Sequence, residues 1–130
     1  MNKDIKKVML ISGGISAERE ISIISGKEVA KSLDRLGHKI IHVDANLNLL
    51  EKIEESKPDV IFNALHGTWG EDGQVQKILE LSKIAYTHSG VKASKIAMDK
   101  HESAKIFIKN DIIYPSTILS SLNHLKDNLP

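Results

Sequence analysis

The sequence predicts an α/β domain with three layers, in which helices cover both faces of a parallel sheet. Short apolar runs alternate along the chain with stretches of helical spacing, and this alternation implies right-handed crossovers between parallel strands. The runs are continuously apolar, as is typical of strands that are covered on both faces. At a length of 130 residues, folding buries roughly 68% of the unfolded surface, so a substantial core is possible.

Four apolar runs are predicted to be strands: residues 7–12, 39–43, 60–65 and 84–87. Between the first two lies a predicted helix whose inner face begins with small residues and continues with apolar ones, and Gly37 ends it. That face comprises Ser22, Ser25, Gly26, Val29, Ala30, Leu33 and Leu36. Because its first side chains are small, we expect this helix to lie close to the sheet.

Two further helices are predicted between the strands, at residues 47–56 and 74–82. The Lys57-Pro58 pair ends the first of them, because the residue before a proline disfavours the helical conformation. Asp72 is the predicted N-cap of the second, since a short carboxylate side chain accepts hydrogen bonds from the first turn of a helix.

The pattern changes after Thr87. Residues 91–98 and 101–110 are predicted to be helices, Tyr114-Pro115 a turn, and residues 117–119 the start of a strand, followed by a polar tail. This region does not complete another βαβ unit. We therefore expect residues 1–89 to form an N-terminal domain and residues 90–130 to begin a second domain that this chain does not finish.

The composition excludes several classes of function. The formal net charge is +1 with acidic and basic residues interspersed, so there is no electrostatic case for binding nucleic acid or an anionic membrane. The absence of cysteine excludes a disulfide framework and a thiol nucleophile. No signal peptide is evident, and no apolar run approaches the ~20 residues that span a bilayer. We therefore expect a cytoplasmic protein.

The loop after the first predicted strand, GGISAEREIS at residues 13–22, is glycine-rich but does not suit a phosphate. It lacks the lysine and hydroxyl spacing of a P-loop, and the carboxylates of Glu18 and Glu20 would repel an anion. A carboxylate near a helix N-terminus stays ionised and suits a cation such as a substrate ammonium group. The alternative is that both glutamates only charge the first turn of a helix.

A second loop of unusual composition, ALHGTWGEDGQ at residues 64–74, follows the third predicted strand. Ligands of parallel α/β sheets bind beyond the carboxyl ends of the strands, so His66 is expected to face the same cleft as Glu18. The alternative is a structural histidine whose neutral ring is satisfied by the backbone. Trp69 is expected either to pack against the core or to act as a lid over the cleft. Glu71 and Asp72 are expected to be turn and capping residues.

Three segments, GGISAEREIS with the following SG, LHGTWGEDGQVQKILE and YTHSGVKASKIAMDK, together closely resemble the D-alanine–D-alanine ligases of the ATP-grasp group. The order and spacing of the segments match as well as their residues, and the resemblance extends to about Pro115. It implies a Rossmann-like sheet in an N-terminal substrate-binding domain at residues 1–89. Residues 90–130 would then begin the central ATP-grasp domain.

The resemblance also implies roles for individual residues. Glu18 would bind the ammonium group of the first D-alanine, and His66 would lie close to the substrate carboxylate and the developing acyl phosphate. Ile21 would line the D-alanine site. Lys100, within the segment MDK, would reach the phosphates of ATP. Glu18 and His66 are therefore the expected catalytic residues, and Lys100 the expected nucleotide-binding residue.

The implied reaction joins two D-alanines with ATP through an acyl phosphate, for peptidoglycan precursor synthesis. It requires Mg²⁺ or Mn²⁺, whose ligands in this family lie beyond the present chain, so no metal ligand is expected within it. The partners implied are D-alanine and ATP, with the complete enzyme a homodimer. We expect the chain by itself to be an inactive N-terminal part of such an enzyme.

One departure from the family pattern and two alternative functions remain. His88 occupies a turn position where the family usually has glycine, which puts the tighter contacts of that turn in doubt, although histidine tolerates positive φ better than most residues. A ligase variant that makes D-alanyl-D-lactate or D-alanyl-D-serine is one alternative. A non-catalytic α/β binding module is the other.

Overall fold

The structure, a computed structural model, describes residues 4–115. The chain divides into two compact units, one up to Lys95 and one from Ile96, which are described separately. Within the described residues, strands and helices follow each other in the order β1 (Lys7–Ser12), α1 (Arg19–Arg35), β2 (Lys39–Asp44), α2 (Leu49–Ser56), β3 (Val60–Asn63), α3 (Gln74–Ser82), α4 (Val91–Met98) and α5 (Lys100–Lys109).

The first unit contains a parallel three-stranded sheet in the order β2-β1-β3. The predicted α/β class with a parallel sheet is confirmed. In the central strand, Met9 lies opposite Ile41 of β2 and Ile61 of β3. Strand β1 is central and parallel to both of its neighbours, so its carboxyl end lies between theirs at one edge of the sheet. The loops that leave this edge carry the candidate site.

The predicted fourth strand at residues 84–87 is wrong as a strand, because it forms only an isolated parallel bridge between Tyr86 and Ile61. Ile61 donates its N–H to Ala85 O at 2.9 Å and accepts from Thr87 N at 3.0 Å. Left-handed residues flank the segment on both sides, Lys83 at φ 57° and His88 at φ 81°. These two turns prevent the pairing from extending further along β3.

The core lies on the face of the sheet that α2 and α3 cover. Its members are apolar side chains of the three strands, of α2 and α3, and of the loops after β2 and β3: Met9, Ile11, Val43, Ala45, Leu49, Ile53, Ile61, Leu65, Trp69, Val75 and Leu79. Full burial of a Leu or Ile side chain stabilises the fold by roughly 1.5–3 kcal/mol. The continuous apolar pattern of β1 thus reflects a strand that is buried throughout, from Val8 to Ser12.

Helix α1 packs against the sheet through its small residues, as the sequence predicts. A Cβ atom on Gly26 would lie 2.7 Å from both Cβ and Oγ of Ser12 in β1, so only glycine permits this approach. Ser22 is also fully buried. Leu36, predicted to lie on the inner face, is instead 48% exposed, because the helix ends at Arg35 and the chain then turns at Gly37 with φ 83°.

The ends of the other helices match the predictions in part. Helix α2 begins two residues later than predicted, because the Asn46 side chain accepts from Asn48 N and forms a turn there. It ends at Ser56, and the next residue, Lys57, adopts the left-handed conformation before Pro58. The bounds of α3 are confirmed, but Asp72 as its N-cap is wrong. Gly73 occupies that position at φ 94°, a conformation that an aspartate adopts only with strain.

The second unit contains the end of α4 and helix α5. Asp99 caps α5, because its carboxylate accepts from His101 N at 2.9 Å and from Glu102 N at 3.0 Å. These hydrogen bonds lower the pKa of Asp99, that from Glu102 most. The predicted helix at residues 101–110 begins one residue earlier, at Lys100. The predicted strand at 117–119 and the tail lie outside the described residues, and the domain boundary after residue 89 stays a prediction.

Candidate active site

Hydroxyl groups connect the two unusual loops at the carboxyl edge of the sheet. Ser22 in α1 accepts from Gly13 N at 2.9 Å and donates to Ala64 O at 2.8 Å, and both contacts are buried. Ser16 donates to the backbone oxygen of His66 at 2.7 Å. The loop after β1 and the loop after β3 therefore form one connected structure, although they are far apart in sequence.

Glu18 lies immediately before α1, but its carboxylate does not cap the helix, because no backbone N–H of the first turn donates to it. The backbone N–H of Glu18 donates a hydrogen bond to Ser16 Oγ at 3.1 Å. The side chain reaches the second loop instead, where a Cβ on Gly67 would lie 2.7 Å from Glu18 Oε1. A role limited to charging the helix end does not explain this position, whereas Glu20 does lie in the first turn.

His66 is held by α1. Its Nε2 atom lies 2.9 Å from the hydroxyl of Ser25, and the ring is half-buried. Gly67, whose lack of a side chain leaves space for the Glu18 carboxylate, is the next residue along the chain. The structure thus brings Glu18 and His66 to the same edge of the sheet, as the sequence predicts from their positions after two neighbouring parallel strands.

The rest of the second loop is fixed by internal hydrogen bonds. The side-chain amides of Asn63 and Gln76 both donate to Gly70 O, at 3.2 and 2.9 Å. Trp69 is buried in the core with φ 71°, and its N–H donates to Asp72. Trp69 is therefore packing and not a lid. Burial opposes ionisation of Asp72, but the hydrogen bonds from Trp69 N and Gln74 together lower the pKa of this carboxyl group below its usual value.

An ion pair that the sequence reading missed closes the other side of the first loop. Arg19 donates from Nη1 and Nη2 to the two carboxylate oxygens of Asp44, at 2.7 and 2.5 Å. Nη1 also donates to Gly14 O at 3.0 Å, and Gly14 N donates to Asp44 Oδ1 at 3.2 Å. The hydrogen bond from Arg19 lowers the pKa of Asp44 to about 2. Asp44 ends β2, so an acidic residue at that strand end was the signal available in the sequence.

The ion pair has a consequence for the charge of the loop. Because Asp44 neutralises Arg19, the arginine is not free to neutralise the adjacent Glu18. Glu18 forms no ion pair among the described residues and remains exposed. The edge of the sheet therefore presents an exposed carboxylate that no cationic side chain of residues 4–115 neutralises, and an imidazole at the same edge. This combination suits a small zwitterion with an ammonium group and a carboxylate.

A small cavity of about 290 Å³ lies beside the ion pair, between β1, β2 and α1. Its lining is Ser12, Gly13, Ile23, His42 and Asp44. Within it the hydroxyl of Ser12 lies 2.7 Å from Nε2 of His42. This second serine–histidine contact was also missed from the sequence, and it joins β1 to β2 at the point where Gly26 of α1 packs against them.

The two remaining predicted site residues are both exposed. Ile21 is 54% exposed on α1, three residues before the similarly exposed Ile24. Lys100 begins α5 in the second unit and borders a mostly apolar cavity of about 440 Å³ that also involves Phe107 and Tyr114. Residues 4–115 contain no group of three or more His, Asp or Glu side chains placed to hold a metal ion. No helix among them is long and apolar enough to cross a membrane.

Comparisons with known proteins agree with this arrangement. A family model described as the N-terminus of D-Ala–D-Ala ligase matches residues 42–89. The D-alanine–D-alanine ligase of Pelagibacter ubique is 56% identical over 124 residues, which are 95% of this chain and 40% of that protein. The ligase of Zymomonas mobilis is 46% identical over 98% of this chain and 40% of its own length.

The crystal structure of the Bacillus anthracis D-alanine–D-alanine ligase complexed with ATP superimposes with a TM-score of 0.78 at 34% identity. That match covers 96% of this chain and 45% of the solved one. The chain thus spans about 40% of the length of the curated relatives it matches. By sequence and by fold, the chain belongs to the D-alanine–D-alanine ligase family and corresponds to the N-terminal part of these enzymes.

Proposed function

We propose that this chain supplies the binding site for the first substrate in an ATP-dependent D-alanine–D-alanine ligase. The observation that carries the proposal is the exposed Glu18 carboxylate, which lies beside Gly67 rather than capping the helix and is on the same edge as His66. The names of the relatives provide the reaction class. Since the chain covers about 40% of those relatives, the reaction is assigned to the longer protein that would contain it.

Glu18 binds the ammonium group of the first D-alanine in this proposal. A charge-assisted hydrogen bond between a carboxylate and an ammonium group is about twice as strong as a neutral one. The backbone on both sides of Glu18 is fixed, by Ser16 before it and by the Arg19–Asp44 pair after it. Glu18 therefore contributes mainly by holding the substrate in a reactive position.

His66 acts on the other end of the same substrate. The D-alanine carboxylate attacks the γ-phosphoryl group of ATP, which releases ADP and leaves an acyl phosphate. The amine of the second D-alanine then attacks the acyl carbon and releases phosphate. Negative charge accumulates on the carboxyl and phosphoryl oxygens, and an N–H donor of the His66 ring would stabilise it. Ile21 would line the D-alanine site, and Lys100 would neutralise charge on the ATP phosphates.

Residues 4–115 offer no group of three or more His, Asp or Glu side chains that could hold the metal ion of such a phosphoryl transfer. The roles of Glu18, His66, Ile21 and Lys100 given above therefore involve no metal contact. Mg²⁺, held by ligands elsewhere in the longer protein, would shield the charge of the phosphates. We further propose that this protein acts in the cytoplasm as a homodimer and provides the dipeptide for peptidoglycan synthesis.

The substitution Glu18→Gln in the complete protein tests the assignment. It preserves the size of the side chain but removes the charge that faces the ammonium group, a loss of roughly 1.5–3 kcal/mol. We expect kcat/KM for D-alanine to fall roughly 10- to 100-fold, with the apparent affinity for ATP nearly unchanged. Dipeptide formation is measured at fixed ATP, with D-lactate and D-serine offered as alternative second substrates.

Glu20→Gln is the matched control, since Glu20 is exposed in the first turn of α1 and its side chain forms no ion pair or hydrogen bond among residues 4–115. It should leave kcat/KM within about two-fold of the unsubstituted protein, the size of an ordinary surface change. Equal losses in the two variants would mean that Glu18 acts only as a helix-end charge. Absence of any dipeptide from the complete protein would instead favour a non-catalytic binding module.

A further inference from the structure

The hydroxyl of Ser25 is placed unusually for a serine inside a helix. Helical serines commonly donate to the backbone oxygen four residues earlier, and Ser32 and Ser56 do so here, to Glu28 O at 3.1 Å and Lys52 O at 2.5 Å. Ser25 forms no such bond, and its single hydrogen bond among the described residues is the 2.9 Å contact with Nε2 of His66. This serine therefore serves the imidazole ring rather than its own helix.

The contact engages one ring nitrogen of His66 and leaves the other without a protein partner among residues 4–115. A serine hydroxyl has one proton to donate, and the hydrogen-bond partner that the described residues offer the Ser25 hydroxyl is Nε2. If Nε2 were protonated and donated to Ser25, the serine proton would have no described protein acceptor. The pairing in which Ser25 donates satisfies both groups, and in a neutral ring it assigns the proton to Nδ1.

We propose that Ser25 is a positioning residue, which orients the imidazole of His66 and keeps its neutral ring protonated on Nδ1. The free nitrogen is then a hydrogen-bond donor at the carboxyl edge of the sheet. This inference deepens the proposed function and rests on it for its catalytic meaning, because a donor is what the developing acyl phosphate requires. The positioning itself is a property of the present chain and does not depend on the reaction.

The tautomer of His66 is measured in the 130-residue chain by ¹⁵N NMR of labelled histidine, above the pH at which the ring protonates. Nδ1 should be the protonated nitrogen in the unsubstituted chain. Ser25→Ala should move the ratio of tautomers about five-fold toward Nε2 protonation, the effect of losing one ordinary hydrogen bond. Ser25→Thr retains a hydroxyl at this position and should restore the original ratio.

The Ser12–His42 pair provides an internal control, because it joins the same atom types, a serine Oγ and a histidine Nε2, at 2.7 Å between β1 and β2. Ser25→Ala should leave the His42 signals unchanged, and Ser12→Ala should change His42 while leaving His66 as it was. A thermal melt of each variant checks that the fold is retained. Unchanged His66 signals in a folded Ser25→Ala chain, or Nε2 protonation in the unsubstituted chain, would overturn the proposal.

The catalytic consequence is measured separately, as dipeptide formation by the complete protein. Ser25→Ala should lower kcat about five- to ten-fold with little change in the KM for D-alanine, and Ser25→Thr should restore most of kcat. A changed tautomer with unchanged kcat would overturn the catalytic role of the donor. If the unsubstituted protein forms no dipeptide, the proposed function fails, while the NMR result still decides whether Ser25 positions His66.

Discussion

Removing the charge of Asp44 tests whether the ion pair behind the first loop is formed as the structure shows it. Asp44→Asn retains the size of the side chain and an oxygen that can accept from Gly14 N. It removes the negative charge and the two-pronged contact with the guanidinium group of Arg19. The variant therefore isolates the charge of the pair from the shape of the loop.

The size of the effect follows from the pKa and the exposure of the pair. A fall in the pKa of Asp44 from 3.8 to about 2 would correspond to roughly 2.5 kcal/mol of stability if the carboxylate were shielded. The Asp44 side chain is 56% exposed, so water and salt reduce this contribution to about 1 kcal/mol or less. We expect a melting temperature lower by about 4 °C at pH 7.

The pH dependence of this stability difference tests the ion pair more specifically than its magnitude does. A carboxyl group whose pKa is lowered by folding stabilises the folded state above its unfolded pKa, and this contribution disappears as the pH falls through the folded value. The difference in unfolding free energy between the two proteins should therefore be constant above about pH 5, decrease as the pH falls, and vanish once the pH has fallen through about 2. Raising the salt concentration from about 0.05 to 1 M should also reduce it.

Urea denaturation at several pH values measures this difference. Asp34→Asn is the matched control, because Asp34 is an exposed aspartate of α1 whose side chain has no hydrogen-bond partner among residues 4–115. It should not reproduce the loss between about pH 5 and pH 2. Equal stability of Asp44→Asn and the unsubstituted chain at pH 7, with parallel pH profiles, would refute the Arg19–Asp44 ion pair and its role in fixing the loop after β1.

Two further substitutions test the backbone. Gly26→Ala should lower the free energy of unfolding by about 1–2 kcal/mol, because its Cβ would lie 2.7 Å from Ser12 and the overlap outweighs the better helix propensity; a gain in urea resistance would contradict the close packing of α1. His88→Gly should raise the melting temperature by a few degrees, about 0.5–1 kcal/mol, since glycine relieves the strain of φ 81°. Loss of stability on that change would mean that the imidazole itself supports the turn.

The sequence by itself determined the local elements and the class of the fold. The bounds of α3 and α4 were predicted correctly, because the apolar spacing and the glycine before each helix, Gly73 or Gly90, act within a few residues. The small residues of α1 predicted its close approach to the sheet for the same reason. Motifs placed after two apolar strands were sufficient to bring Glu18 and His66 to one edge, since parallel strands end on the same side.

Where the local signal was weak, the prediction failed. Residues 84–87 are apolar enough for a strand, but the left-handed turns at Lys83 and His88 leave room for a single bridge. Asp72 has the right chemistry for a cap, but the chain enters α3 through Gly73 at a positive φ angle. In both cases the backbone path, which several distant contacts decide, outweighed the preference of individual residues.

Only the tertiary structure decided which polar groups pair across the sheet edge. Arg19 and Asp44 are separated by 25 residues, and Ser25 and His66 by 41. The strand order β2-β1-β3 brings these partners together by placing the ends of β2 and β3 on either side of the loop that follows β1. Spacing along a chain carries no information about such pairs, because the folding of the intervening segments sets the distance between them.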